Sequence, residues 1–354
     1  MKNSEYHPHR SLPRRRFLKL TALATGGAGI ATILAPRRTN SLTQTDQANL
    51  DRFLTESVPI EAKSLEFSEY SFETVTIARN GEITARSRHM ARSTRQPLSP
   101  GIDLEMVYIP GGSFLQGSPP EERGDHTGSE KPQRSVTNKA FLLSKYPITQ
   151  AQWLAIASLP QVDIDINADP AFFTGSNHPI ERVSWYEAIE FCQRLSKATG
   201  RDYRLPSESR WEYACRAGTT TPFHAGETLT AAQANYYAAF NPYADEPPGN
   251  YITRTTPVGS YPPNAFGLYD IHGNVGEWCA DVWHRNYNRN PPLNGQSWLT
   301  PDERIHPRHQ KARLVRGGSW GDEANHCRSA NRTFCLPEKR YSVLGFRVMA
   351  EISQ

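Results

Sequence analysis

A chain of 354 residues, 37% hydrophobic and 21% charged, is long enough for one large domain plus an extension, and its net charge of +4 carries no basic stripe that would mark a nucleic-acid ligand. Its five cysteines form no Cys-x-x-Cys pair, which excludes a zinc ribbon, and they are too few for a disulfide framework. The 27 prolines and 24 glycines predict a turn-rich fold instead of a helical bundle.

In chain order, Arg14-Arg15-Arg16-Phe17-Leu18-Lys19 precedes a moderately apolar stretch from Leu20 to Ala35. A positive region followed by a short apolar one is an export address. The Arg-Arg-x-Phe-Leu-Lys core resembles a bacterial twin-arginine signal, which sends proteins out already folded. Residues 1–35 are therefore expected to take the chain to the periplasm or beyond. Ile33 and Ala35 make a poor cleavage site, so an uncleaved membrane anchor stays open, although the stretch falls short of the ~20 apolar residues of a spanning helix. Residues 36–64 read as a polar linker.

Between 65 and 103 the pattern alternates through Phe67, Tyr70, Phe72, Val75 and Ile77, turns at Asn80-Gly81 and resumes at Ile83, which predicts a β-hairpin extension. Residues 89–100 read as a polar connection. Leu104–Ser118 is a strand, a Pro-Gly-Gly turn and a second strand, and 119–134 is an exposed loop. Helices are expected from Thr149, as its N-cap, from Ser184, and over Ser207–Ala214. The second carries the capping-box pair Ser184 and Glu187 and an apolar stripe of Ala188, Phe191, Cys192 and Leu195. Residues 104–352 are thus expected to form one α+β domain.

Seven segments stand together in one order: Met106–Phe114, Pro147–Trp153, Pro179–Ala188, Arg204–Gly218, Gly267–Trp278, Arg316–Trp320 and Gly345–Val348. This ordered set resembles the formylglycine-generating enzyme (sulfatase-modifying factor) family. The resemblance implies a variant of the C-type lectin fold with little regular secondary structure. Trp211, Trp278, Trp283 and Trp320 then read as core wedges. Gly317 and Gly318 read as positions where a Cβ would not fit.

The resemblance also implies calcium, a hard cation that takes oxygen ligands from flexible loops. One set would be the side chains of Asp270 and Glu277 with the carbonyls of Gly273 and Val275. A second would be Asn235 and Asn250 with the carbonyls of Tyr236 and Ile252, at lower ligand charge because the family often has Asp at the position of Asn250.

The family's enzyme oxidises a sulfatase cysteine with copper and O₂, and needs two cysteines just after the Gly-Gly-Ser-aromatic motif. Without gaps, those positions hold Asp322 and Cys327; with a short deletion neither is a cysteine. A carboxylate is a poor Cu(I) ligand, and Cys335 does not restore the spacing. Cys327 is thus only a remnant candidate, and the family pattern pairs it with Cys215 in a disulfide.

Between the fixed-looking Arg316–Trp320, Cys327–Ala330, Pro337 and Gly345–Val348 lie chemically mixed intervals. They hold Asp322, Glu323, Asn325 and His326; then Asn331, Thr333, Phe334, Cys335 and Leu336; then Lys339, Tyr341, Ser342, Val343 and Leu344. Aromatic anchors among polar groups suit a ligand face. The arrangement resembles the variable proteins of diversity-generating retroelements, which change residues at such intervals. The implied function is noncatalytic binding of a protein or surface ligand on a calcium-stabilised scaffold, with Phe334, Leu336 and Tyr341 exposed together. Copper-dependent oxidation of a sulfatase cysteine is the alternative.

Overall fold

The computed structural model describes residues 66–352 except His126 and Arg304, so the expected signal and linker lie outside the described residues. Strand β1 (Ser68–Ile77) pairs antiparallel with β2 (Ile83–Ser99), in a register running from Ser68↔Ser93 to Ile77↔Ile83. The turn is the one Asn80-Gly81 predicts: Gly81 has φ +83° and Asn80 Oδ1 accepts from the Glu82 amide.

β2 runs on to pair with β3 (Ile102–Ile109), so residues 89–99 are strand and not a connection. Ser93, Thr94, Gln96 and Leu98 are all buried. Polar residues at inward positions hid the strand from a hydrophobicity reading. The hairpin is therefore the outer part of the main sheet and is clamped at three further places. The Ile77 amide donates to the Ala225 carbonyl at 2.7 Å, the Tyr70 hydroxyl to the Gly267 carbonyl at 3.1 Å, and the Lys145 ammonium sits 4.0 Å over the Tyr70 ring.

β4 (Gly112–Gln116) and β5 (Arg134–Asn138) form a separate two-stranded ribbon. β6 (Phe141–Ser144) joins the main sheet beside β3. Helices α1 (Gln150–Ala157), α2 (Trp185–Thr199) and α3 (Glu208–Arg216) start where expected, capped by Thr149, Ser184 and Ser207. Both partners of the Ser184/Glu187 capping box are in place. β7 (Tyr203–Arg204) ends that sheet, while β8 (Gly276–Val282) and β9 (Arg313–Arg316) centre a second one with β10 (Thr333–Cys335) and β11 (Leu344–Gly345). The last strand, β12 (Met349–Glu351), inserts between β6 and β7, which ties the C-terminal segment into the first sheet.

Long irregular stretches join these elements, and buried ion pairs hold them. Arg316 reaches Glu212, Arg328 reaches Glu130 at 2.7 Å, Arg332 reaches Glu208, and Arg347 reaches Glu277 at 2.7 Å. Trp211 and Trp278 are fully buried and Trp283 nearly so, as expected of wedges. Trp320 is only half-buried, a departure from that expectation.

Candidate aromatic binding cleft

After β9 the chain turns through Gly317 and Gly318, at φ +93° and +67°. A Cβ on Gly318 would stand 2.6 Å from Cys327 Sγ, so the tight packing of this turn requires glycine. The turn swings Trp320 to the surface, where its indole donates to the Ser342 carbonyl at 3.0 Å.

The interval residues then separate. Asp322 is buried, its carboxylate accepting from Ser319 Oγ at 2.6 Å and its carbonyl from the Tyr237 amide at 2.8 Å. Glu323, half-buried, accepts from Asn241 at 2.8 Å. Asn325 and His326 are half-buried, and Asn325 Oδ1 accepts from Arg328 Nε at 3.2 Å. Asn331 and Thr333 are buried, and Asn331 donates to the His326 carbonyl. Lys339 is exposed, Tyr341 and Ser342 are half-buried, and Val343 and Leu344 are buried, Leu344 paired with Gly276.

Phe334 corrects the expected exposed patch. It is fully buried, 4.7 Å from the Trp283 ring and 5.3 Å from that of His309. Pairing of β10 with β9 turns its side chain into the core built by Trp283, Ile305 and Ala312, and Leu336 leans half-buried on the same cluster. The Trp320 indole, bonded to the Ser342 carbonyl, brings the Trp320 and Tyr341–Ser342 portions of the intervals together.

That surface is a row of rings. Phe172 meets Phe173 edge-on at 5.0 Å, Phe173 meets Trp320 edge-on at 5.4 Å, Trp320 lies near-parallel to Tyr251 at 6.3 Å, and Tyr251 meets Tyr237 at 4.5 Å. Phe172 is 63% exposed and Trp320, Tyr237 and Tyr251 are half-buried. Asn250 and Ile252 flank Tyr251, so the second expected calcium set borders the row.

Charge frames the rings. Glu181 is fully buried beneath them; its Oε1 accepts from the amides of Phe172 and Phe173 at 2.5 and 2.8 Å and so fixes the loop that carries both rings. Its Oε2 has no partner, and burial pushes its carboxyl up to about 7. Arg182 and Arg254 are exposed, Arg254 at 6.0 Å from the Phe173 ring, and the Arg182 amide donates to the Tyr341 carbonyl. Sequence reasoning missed Glu181, Arg182, Phe172, Phe173, Tyr237, Tyr251 and Arg254. Glu181 and Arg182 sit inside a motif read as framework, and the rings follow no period that marks a face.

The five cysteines are thiols, so the expected Cys215–Cys327 disulfide is not formed. Cys215 Sγ lies 3.5 Å from Ser329 Oγ and 3.8 Å from His272 Nε2. Cys327 is fully buried, and desolvation raises its thiol well above the ordinary range. With Asp322 as its neighbour in the pair, this donor set does not fit Cu(I).

Calcium fits in part. Glu277 is engaged: Arg347 binds both its oxygens, at 2.7 and 2.8 Å, and the Trp211 indole donates to Oε2 at 2.7 Å. Asp270 accepts from the Gly259 amide through Oδ2, but its buried Oδ1 has no partner, and burial pushes the carboxyl up to about 6. The buried Asn235 Oδ1 is likewise unpartnered, while Asn250 is exposed. The carbonyl of Val275 and those of Gly273, Tyr236 and Ile252 lie on the same loops. Among the described residues no group of three or more His, Cys, Asp or Glu side chains is placed to hold a metal.

The profile of the sulfatase-modifying factor enzyme 1-like domain matches residues 94–352. Among solved structures the chain resembles PvdO from Pseudomonas aeruginosa, with 34% identity, TM-score 0.61, and coverage of 73% of this chain and 98% of that one. It shares its fold with Treponema denticola variable protein 1, at 24% identity, TM-score 0.57, and coverage of 73% and 99%. The formylglycine-generating enzyme of Streptomyces coelicolor is 34% identical, over 68% of this chain and 87% of that one. The chain spans 38–41% of the length of the chlamydial serine/threonine-protein kinases it also matches. With a family profile covering most of its length and the mixed, helix-poor architecture described above, the chain belongs to the sulfatase-modifying factor enzyme 1-like family, on its variant of the C-type lectin fold.

Proposed function

We propose that this protein is a noncatalytic ligand-binding member of its family, with the aromatic cleft around Trp320 as its binding face. The observation that carries this reading is the five-ring row framed by Arg182 and Arg254. Its edge is formed by the C-terminal interval residues Glu323, Tyr341 and Ser342. The fold shared with a variable protein agrees with a scaffold that presents replaceable residues there. Copper-dependent oxidation of a sulfatase cysteine is the second reading, and the 34% identity to an enzyme of that name favours it. Against it stands the broken cysteine pair, with Asp322, a poor Cu(I) ligand, in the first position of the ungapped count. Incubation with copper, O₂ and a Cys-x-Pro-x-Arg peptide is expected to give no aldehyde by mass spectrometry. Turnover that vanishes in Cys327→Ser would overturn the assignment.

Calcium enters the proposal as a structural ion drawn to the unpartnered oxygens of Asp270 and Asn235, with Glu277 left to Arg347. An ion that binds only the folded chain stabilises it by mass action. A chelator is expected to lower the melting temperature of the wild type and to leave that of Asp270→Ala unchanged. Identical wild-type melting curves with and without chelator would remove calcium from the proposal. Export through the twin-arginine signal and a membrane anchor at residues 1–35 belong to the same proposal, and fractionation of cells expressing Arg14→Lys/Arg15→Lys tests them.

A further inference from the structure

We propose that the cleft binds a polypeptide segment in which carboxylates flank an aromatic or aliphatic side chain. This rests on the reading of the cleft as the ligand face and adds the chemistry of what it takes.

Three independent observations converge. The first is charge. Arg194, Arg316, Arg328, Arg332 and Arg347 all end on carboxylates inside the protein. Arg182 and Arg254 are exposed, and among the described residues neither has an ion-pair partner. A guanidinium is a planar fork that matches a carboxylate through two parallel hydrogen bonds. Two such forks bordering one surface offer partners to the carboxylates of a ligand, with Glu323, held by Asn241, as a carboxylate at its edge.

The second is backbone strain. Arg182 has φ +59° and Thr253, next to Arg254, has φ +65°. Left-handed backbone is uncommon outside Gly, Asn and Asp, and for a β-branched residue it is a true outlier. Both strained residues sit at the roots of the two arginines. The Arg182 amide is tied to the Tyr341 carbonyl at 3.0 Å, so the strain is held by the segment that also carries the cleft's edge. Strain of this kind persists where surrounding contacts over-determine it, and it gathers at ligand clamps.

The third is the shape of the row. Five rings in succession exceed what one small ring can cover, so the ligand is extended. Phe172, Phe173 and Trp320 meet edge to face, at 82° and 85°. They offer notches for inserted side chains, while the near-parallel Trp320 and Tyr251 leave a flat platform of the kind sugar rings use, which the alginate arm of the test addresses. Trp, Tyr and Arg are also the residues that anchor protein interfaces. Beneath the row, the buried Glu181 grips the Phe172 and Phe173 amides and keeps their rings in place without a ligand present.

The test uses a random Glu–Tyr copolymer as probe, with a Lys–Tyr copolymer and the polyuronate alginate alongside, in biolayer interferometry near physiological salt. The Glu–Tyr copolymer is expected to bind, and the Lys–Tyr copolymer is not. Binding should weaken at least about tenfold in Arg182→Gln/Arg254→Gln, since each lost charge-assisted contact is worth about a factor of ten, and by about as much in Phe172→Ala, the truncation of an aromatic interface anchor. All three residues lie at the surface, and melting curves verify that these variants fold. Arg86→Gln, an exposed arginine of the hairpin far from the rings in the chain, is expected to bind as wild type. Equal weakening by Arg86→Gln would mean diffuse charge attraction and overturn the proposal. Binding of alginate instead, lost in Phe172→Ala, would keep the cleft as the ligand face and overturn the polypeptide class. If Phe172→Ala alters binding of no probe, both the class and the cleft fail.

Discussion

Phe334→Ala is expected to destabilise the protein by about 3–5 kcal/mol, the cost of emptying a large aromatic site in a packed core. The ring is fully buried against Trp283 and His309, and β9 fixes its strand from the other side. Phe172→Ala should change stability by less than ~0.5 kcal/mol, because its ring is already 63% in solvent. The two phenylalanines therefore form a matched pair for urea denaturation. A Phe334→Ala midpoint equal to wild type would mean that β10 leaves the core in solution and that this ring belongs to the surface after all.

Arg347→Ala is the second large effect. Arg347 and Glu277 are both buried, and the guanidinium also donates to the carbonyls of Ser144 and Tyr269. Its removal strands Glu277 as an unpaired buried charge and takes a donor from two carbonyls. Breaking a buried pair this way costs about 3–5 kcal/mol. Arg347→Lys should rescue little, since an ammonium cannot serve four acceptors in one plane. Arg347→Met combined with Glu277→Gln should cost less than the sum of the two single changes, because the pair is coupled. Additive losses in thermal melting would show that the two side chains act separately.

Local signals carried much of the fold. Thr149 and Ser184 cap their helices where their side chains predict, because a cap is decided within four residues. Asn80-Gly81 likewise placed its hairpin turn. The continuation of β2 was illegible, since buried Ser93, Thr94 and Gln96 look like a linker until β3 is beside them. The site was legible as a segment and misread as a surface. Trp320 and Phe334 exchanged their expected places, because burial in β10 depends on strands and loops distant in sequence. The ring row draws on four separate stretches of chain, and nothing local announces that Phe172 and Trp320 will meet. Glu277 shows the same limit: the residue type suits calcium, and only the fold reveals the arginine on it.

The buried arginines of the C-terminal segment bear on how this protein can change. Arg316, Arg328, Arg332 and Arg347 recur along it, and each crosses to a carboxylate on a distant part of the chain: Glu212, Glu130, Glu208 and Glu277. The path of the backbone is set at these four crossings and does not depend on what lies between them at the surface. A lineage could therefore replace Glu323, Lys339, Tyr341 or Ser342 repeatedly while inheriting the same register and the same fold. The freedom ends at Phe334, where the interval dips into the core, so the positions open to such exploration are fewer than the intervals between the arginines.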